Sequence, residues 1–144
     1  SLAELAADIE PYRRLKLDAI MPAHVVFPKV DGRTAGFSPV WIDKLRNELG
    51  FGGVVFSDDL SMAAAGVAGD VVDRVSAAWA AGCDMLLVCN APDAVYAVLN
   101  RWKAEFDPVR SARVERLLPT AQASDVSRSA DYLAGIDYAN TLIA

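Results

Sequence analysis

The chain has 144 residues, 53% of them hydrophobic, with 19 acidic against 14 basic side chains and a formal net charge of −5. That composition suits one packed globular unit with a sizeable core. The acidic balance, without any Lys/Arg cluster, excludes a nucleic-acid partner, and no apolar run approaches the roughly 20 residues needed to cross a bilayer.

Leu2, Leu5, Ile9, Tyr12 and Leu15 repeat at intervals of three and four and predict a first helix, with Pro11 at a bend or at the start of a second short turn. Leu17 to Val26 reads as a strand whose pairing ends near Pro22. Residues 28–37, with Asp31-Gly32 and Gly36, read as a loop. Ser38-Pro39 then opens a helix, Ser as N-cap and Pro at the first position. Trp41, Ile42, Leu45 and Leu49 form its buried stripe, and Gly50 supplies the stop.

After the turn Gly50-Phe51-Gly52 comes Gly53-Val54-Val55-Phe56, short and β-branched, which reads as a buried parallel strand. Ala63–Gly69 is small and flexible, suited to a lid or connector. Val71–Ala81 is a helix stopped by Gly82, and Asp84 to Cys89 is a third apolar strand closed by Asn90. Helices over Pro92–Phe106 and Arg110–Leu118 follow, with Pro119 as the break. Residues 120–144 form a polar tail with one more short helix, so the chain divides into 1–119 and 120–144.

Three repeats of strand plus helix, with wholly apolar strands, mean an α/β fold with a parallel sheet. A doubly wound domain of this length usually has more strands. A (β/α)₈ barrel needs roughly 250 residues. Three βα units with terminal helices therefore read as part of a TIM barrel. Cys83 and Cys89 flank the third strand and fit two small buried residues in a reducing compartment better than a disulfide or zinc site.

The chemistry lies in Phe56-Ser57-Asp58-Asp59-Leu60-Ser61-Met62. Two adjacent acids sit where a core strand ends, the place at which parallel sheets present ligand-binding groups. Side chains alternate along extended backbone, so Asp58 and Asp59 cannot share one pocket, and spacing alone does not choose between them. Capping of a helix starting near Ser61 is the ordinary account of both, and it suffices for Asp59. The buried strand immediately before Asp58 turns that residue towards function. His24, at the end of the preceding strand, is within reach of the acid across a ladder spaced about 4.8 Å, where it would hold the carboxylate ionised and oriented. Asp31 and Arg33 read as a solvated loop ion pair, Asn90 as turn chemistry, and Trp41, Trp79 and Trp102 as helix packing. A rival reading makes Asp58 and Asp59 a Mg²⁺-binding or phosphoacceptor pair. It expects acids on the neighbouring strand ends, which carry His24 and Asn90 instead. A non-catalytic scaffold of the same shape is a third possibility.

Met21-Pro22-Ala23-His24-Val25, Asp31-Gly32-Arg33, Ser38-Pro39-Val40-Trp41, Glu48 to Val54, Phe56 to Met62 and Ala81-Gly82-Cys83-Asp84-Met85, in that order, resemble the bacterial β-N-acetylhexosaminidases of glycoside hydrolase family 3. The resemblance implies a cytoplasmic enzyme of peptidoglycan recycling. Such an enzyme removes terminal non-reducing N-acetylglucosamine from muropeptides by a retaining mechanism on a (β/α)₈ barrel, with no cofactor. It selects Asp58, the first acid of the motif, as nucleophile, and aligns His24 with a position lining the pocket.

One departure is large. The family's general acid/base, a His assisted by an Asp on a mobile loop, and its sugar-gripping Lys-His-Phe-Pro-Gly-His-Gly-like motif lie upstream and have no counterpart here, where His24 is the only histidine. The chain thus corresponds to the C-terminal part of the barrel, whose partner is the missing N-terminal part, and alone it is expected to be inactive. It begins at Ser1 without Met or a signal-peptide pattern, so its natural start is not given by the sequence.

Overall fold

In a computed structural model, which describes residues 2–119 and 126–143, three chain segments run parallel and carry the site. Strand β1 (Ala19–Ile20) pairs with β4 (Val54–Val55) in the register Ala19 to Val54 and Ile20 to Val55. On its other side β4 continues into a parallel bridge between Phe56 and Met85. The Ser57 N–H donates to the Met85 carbonyl at 2.7 Å and the Leu60 N–H to the Leu87 carbonyl at 2.8 Å. The third apolar run is therefore aligned with β4, though only its Met85 end forms a ladder contact. Val54 and Val55 are wholly buried, as expected for a strand covered on both faces.

Helices follow each segment. After β1 comes α2 (Pro39–Asp43), whose last turn widens into a π-helical stretch, Lys44–Glu48. The Ser38 Oγ accepts the Trp41 N–H at 3.1 Å, which is the N-cap read from the sequence. After β4 comes α3 (Val71–Ala81), started by a reciprocal cap between Asp70 and Asp73 and stopped by left-handed Gly82. After the third segment come α4 (Pro92–Arg101) and α5 (Pro108–Glu115), the latter capped by Asp107. α1 (Ala6–Arg14) precedes the sheet and α6 (Ala130–Ile143) ends the chain. Phe37, Ile42, Leu45, Phe51, Val55, Leu60, Val75 and Ala78 make the core between sheet and helices.

The structure corrects several boundaries. Pro11 lies inside an unbroken α1. The strand predicted over 17–26 is only two residues long. The loop predicted over 28–37 contains half of a hairpin: β2 (Val26–Phe27) pairs antiparallel with β3 (Asp31–Thr34), and a 3₁₀ turn over Ala35–Phe37 leads into α2. α4 stops at Arg101, leaving Trp102 extended after the helix with its ring edge-on to Trp79 at 5.7 Å. α5 begins two residues earlier than expected and ends at Glu115. The tail expectation for residues 120–125 falls outside the described residues. Cys83 is buried as expected, whereas Cys89 is exposed.

Gly82 is the glycine whose conformation the fold requires most clearly. Its φ is +113°, and a Cβ there would stand 2.8 Å from Ile42 Cγ2. Gly82→Ala is expected to destabilise the protein by about 1–3 kcal/mol, read as a lower urea midpoint at unchanged slope.

Candidate active site

The carboxyl ends of the three parallel segments converge on one loop. Ser57 and Leu60, 1% and 0% exposed, anchor it from below, and the Ser57 hydroxyl accepts the Leu87 N–H at 2.9 Å. Arg74 on α3 holds the loop from outside, donating to the Leu60 carbonyl at 2.9 Å and the Gly69 carbonyl at 2.8 Å. Between these anchors stand Asp58 and Asp59, both half-buried. No helix starts at Ser61. A 3₁₀ segment, Ala63–Ala68, begins two residues later, with no side-chain cap, so the helix-capping role expected of Asp59 is replaced by another arrangement.

Asp59 is fully engaged. One of its carboxylate oxygens accepts the Ser61 N–H at 2.9 Å and the Cys89 N–H at 3.0 Å, and the Ser61 hydroxyl donates at 2.7 Å. Burial pushes this carboxyl up, but the hydrogen bonds from Cys89 and Ser61 outweigh it and hold the group below the usual carboxylate range. Asp58 differs. One oxygen accepts the Asp59 N–H at 2.8 Å, and the other has no protein hydrogen bond among the described residues. Of the two acids, Asp58 is the one with an oxygen free to meet a ligand.

His24 lies beside them but not as expected. Its Nε2 is 3.1 Å from the Asp59 main-chain carbonyl, not from a carboxylate. A carbonyl only accepts, so Nε2 carries the proton and donates. Nδ1 is buried without a hydrogen-bond partner among the described residues, and the ring packs on Phe37 with centroids 5.2 Å apart. His24 thus touches the acidic loop through its backbone.

The remaining sequence candidates stand apart. Asp31 pairs with Arg33 at 3.1 Å, as read from the sequence, and also accepts the Ser38 hydroxyl at 2.6 Å, which ties the hairpin to the start of α2. That hydroxyl is the main cause of the lowered Asp31 carboxyl, with burial opposing it and Arg33 adding to it. The sign follows from the ordinary value of 3.8. A carboxyl lowered in the folded state adds stability above 3.8 and loses it as pH falls through the folded value. The Tm difference between the parent and Asp31→Ala is therefore expected to be constant near neutral pH and to shrink below pH 3.8. Asn90 is exposed. Cys89 carries a thiol pushed up by desolvation and by the Asp59 and Asp58 carboxylates, opposite to the activation a nucleophilic cysteine needs. Clefts of about 510 and 440 Å³ open elsewhere, between α3 and α5 and beside the hairpin.

Sequence reasoning missed a second charged cluster. Asp84, with no side-chain exposure, accepts from Arg46 Nη2 at 2.6 Å, from Arg113 Nη2 at 2.6 Å and from the Val55 N–H at 2.8 Å. It lies at the opening of the third segment, opposite to Asp58 along the strands. The only signal in the sequence was an acid at the head of an apolar run.

Parallel βα units with two acids at the end of their central strand define an α/β protein, a class that places ligand-binding groups at the carboxyl ends of its strands. Residues 5–118 match the glycosyl hydrolase family 3 N terminal domain, and the chain belongs to that family. A β-hexosaminidase of Aromatoleum aromaticum is 52% identical over 122 residues, covering 82% of this chain and 34% of the relative. One from Bordetella parapertussis is 48% identical over 125 residues, covering 84% and 35%. Among solved structures, NagZ from Neisseria gonorrhoeae in complex with N-trifluoroacetyl-D-glucosamine superposes with a TM-score of 0.79 at 36% identity, covering all of this chain and 43% of that one. The chain thus spans about a third of the length of the curated relatives it matches.

Proposed function

We propose that this chain is the C-terminal part, about three βα units with terminal helices, of a (β/α)₈ barrel. The whole protein is then a retaining exo-β-N-acetylglucosaminidase of peptidoglycan recycling, acting in the cytoplasm on terminal non-reducing N-acetylglucosamine of muropeptides. The observation that carries the reading is Asp58. It stands at the carboxyl end of the central parallel segment, with one oxygen fixed by a backbone N–H and the other without a hydrogen bond among the described residues. The N-acylated glucosamine bound by the Neisseria protein supports the sugar class.

In the proposed reaction the free oxygen of Asp58 attacks the anomeric carbon from the face opposite the leaving group. The glycosidic C–O bond breaks, and the departing oxygen takes a proton. Water then attacks the same carbon, loses a proton and releases Asp58, so configuration is retained through two inversions. The Asp59 N–H, donating to one oxygen of Asp58 at 2.8 Å, holds the attacking carboxylate in place. His24, by holding the Asp59 carbonyl, steadies the loop on the side where the sugar enters. The proton donor is supplied by the part of the barrel that this chain does not span.

The assay is hydrolysis of a chromogenic N-acetylglucosaminide by the whole protein and by the purified 144-residue chain. General acid/base help is worth about 10²–10⁴-fold, and the open edges of a three-strand piece favour aggregation. The whole protein is expected to turn over and the chain alone to be inert. Turnover by the pure chain would contradict this division of labour.

A further inference from the structure

Asp59 does more than cap a turn, because its contacts join all three parallel segments. Its carbonyl receives His24 from the end of the first. Its carboxylate receives Cys89 from the end of the third, 30 residues away, and Ser61 from its own loop. Its N–H is the group that donates to Asp58 at 2.8 Å. The direction of that N–H is therefore fixed by hydrogen bonds on both sides of the same residue.

We propose that Asp59 is a positioning residue for the nucleophile: by tying the ends of the neighbouring segments together it aims its own N–H at Asp58, and it works through the shape of its acceptor oxygens, not through its charge. The inference rests on Asp58 acting as nucleophile. A carboxylate beside another carboxylate opposes its negative charge, so the electrostatic effect of Asp59 on Asp58 is unfavourable. What Asp59 supplies is geometry, and geometry at a nucleophile is sensitive, since a misplacement of about 1 Å can cost around 100-fold in rate.

Three substitutions in the whole protein separate shape from charge. Asp59→Asn keeps an oxygen for the Cys89 and Ser61 N–H groups and loses the charge, while its amide can donate to the Ser61 hydroxyl. Asp59→Glu keeps the charge and displaces the oxygens by one methylene. Asp59→Ala loses both. With kcat and KM measured on the same N-acetylglucosaminide, Asp59→Asn is expected to stay within about threefold of the parent in kcat. Asp59→Glu and Asp59→Ala should fall by about tenfold or more, with KM little changed in all three. A residue that served only as a charge would give the reverse order, and one that served only stability would leave kcat per folded molecule unmoved. If Asp59→Ala does not fold, the order of Asn against Glu decides. Parental kcat in Asp59→Glu, or a loss in Asp59→Asn equal to that in Asp59→Glu, overturns the inference. Asp58→Asn is the separate control: if it is fully active the nucleophile assignment fails, whereas an inactive Asp58→Asn beside a flat Asp59 series refutes this inference alone.

Discussion

Asp58→Asn in the whole protein is expected to lower kcat by roughly 10⁴-fold or more, because the amide cannot form the covalent glycosyl-enzyme. The fold should be untouched. Asn keeps an oxygen for the Asp59 N–H, the only hydrogen bond that the Asp58 side chain makes among the described residues. Thermal midpoint and substrate KM should stay close to those of the parent, so the loss falls on chemistry. Asp58→Gly adds a second diagnostic. With an activated aryl N-acetylglucosaminide, added azide enters the space left by the carboxylate and attacks the anomeric carbon once. The product is the α-azide, of configuration opposite to the substrate. A mere binding residue gives neither the loss in kcat nor the inverted product.

Asp84→Ala is expected to have the largest effect on stability, about 3–5 kcal/mol, the range for removing one partner of a buried ion pair. The carboxylate has no exposed surface, and Arg46 and Arg113 are only 17% and 18% exposed. Without Asp84 the two guanidinium groups are left near each other without their shared anion, and the Val55 N–H loses its acceptor inside the sheet. Arg46 retains the Phe51 and Gly53 carbonyls, at 3.1 and 2.5 Å, which limits the damage. The readout is urea unfolding, with a lower midpoint at an unchanged slope. Asp84 stands at the opposite end of the strands from Asp58, so kcat per folded molecule should not change. A shift under about 1 kcal/mol would mean that the cluster relaxes or admits water, as exposed ion pairs do.

The contrast between the two ends shows what the sequence made legible. α3 was readable to the residue because its stop signal is local: Gly82 supplies a left-handed end that other residues resist, and the structure adds a cap equally local, Asp70 on its own next turn. Ser38-Pro39 was readable for the same reason. The hairpin was not. Its strand Val26–Phe27 was hidden in a longer apolar run, and Asp31-Gly32 has the composition of a loop although residues 31–34 are paired. The third strand looked strong by composition, yet only Met85 forms a ladder contact, because propensity says nothing of which neighbour is present.

At the site the same rule holds. Asp58 was singled out because a buried strand ends immediately before it. The contacts that distinguish it from Asp59 come from His24 and Cys89, 35 and 30 residues distant, and no spacing pattern encodes them. The direction of His24 was misread on that account: it meets a backbone carbonyl where a carboxylate was expected. The Asp84 cluster draws on residues 38 and 29 positions away and left no local trace.

In the proposed reaction Asp58 becomes covalently bonded to the sugar. The direct measurement exposes the whole protein to an N-acetylglucosaminyl fluoride carrying a second fluorine at C5. That fluorine slows both steps, while the fluoride leaving group keeps the first fast enough for the intermediate to accumulate. Intact mass followed by peptide mapping then locates the adduct. One sugar per protein on the peptide containing Asp58, absent from Asp58→Asn, is the predicted result. An adduct on another residue, or none on a protein that hydrolyses the unfluorinated substrate, would contradict it.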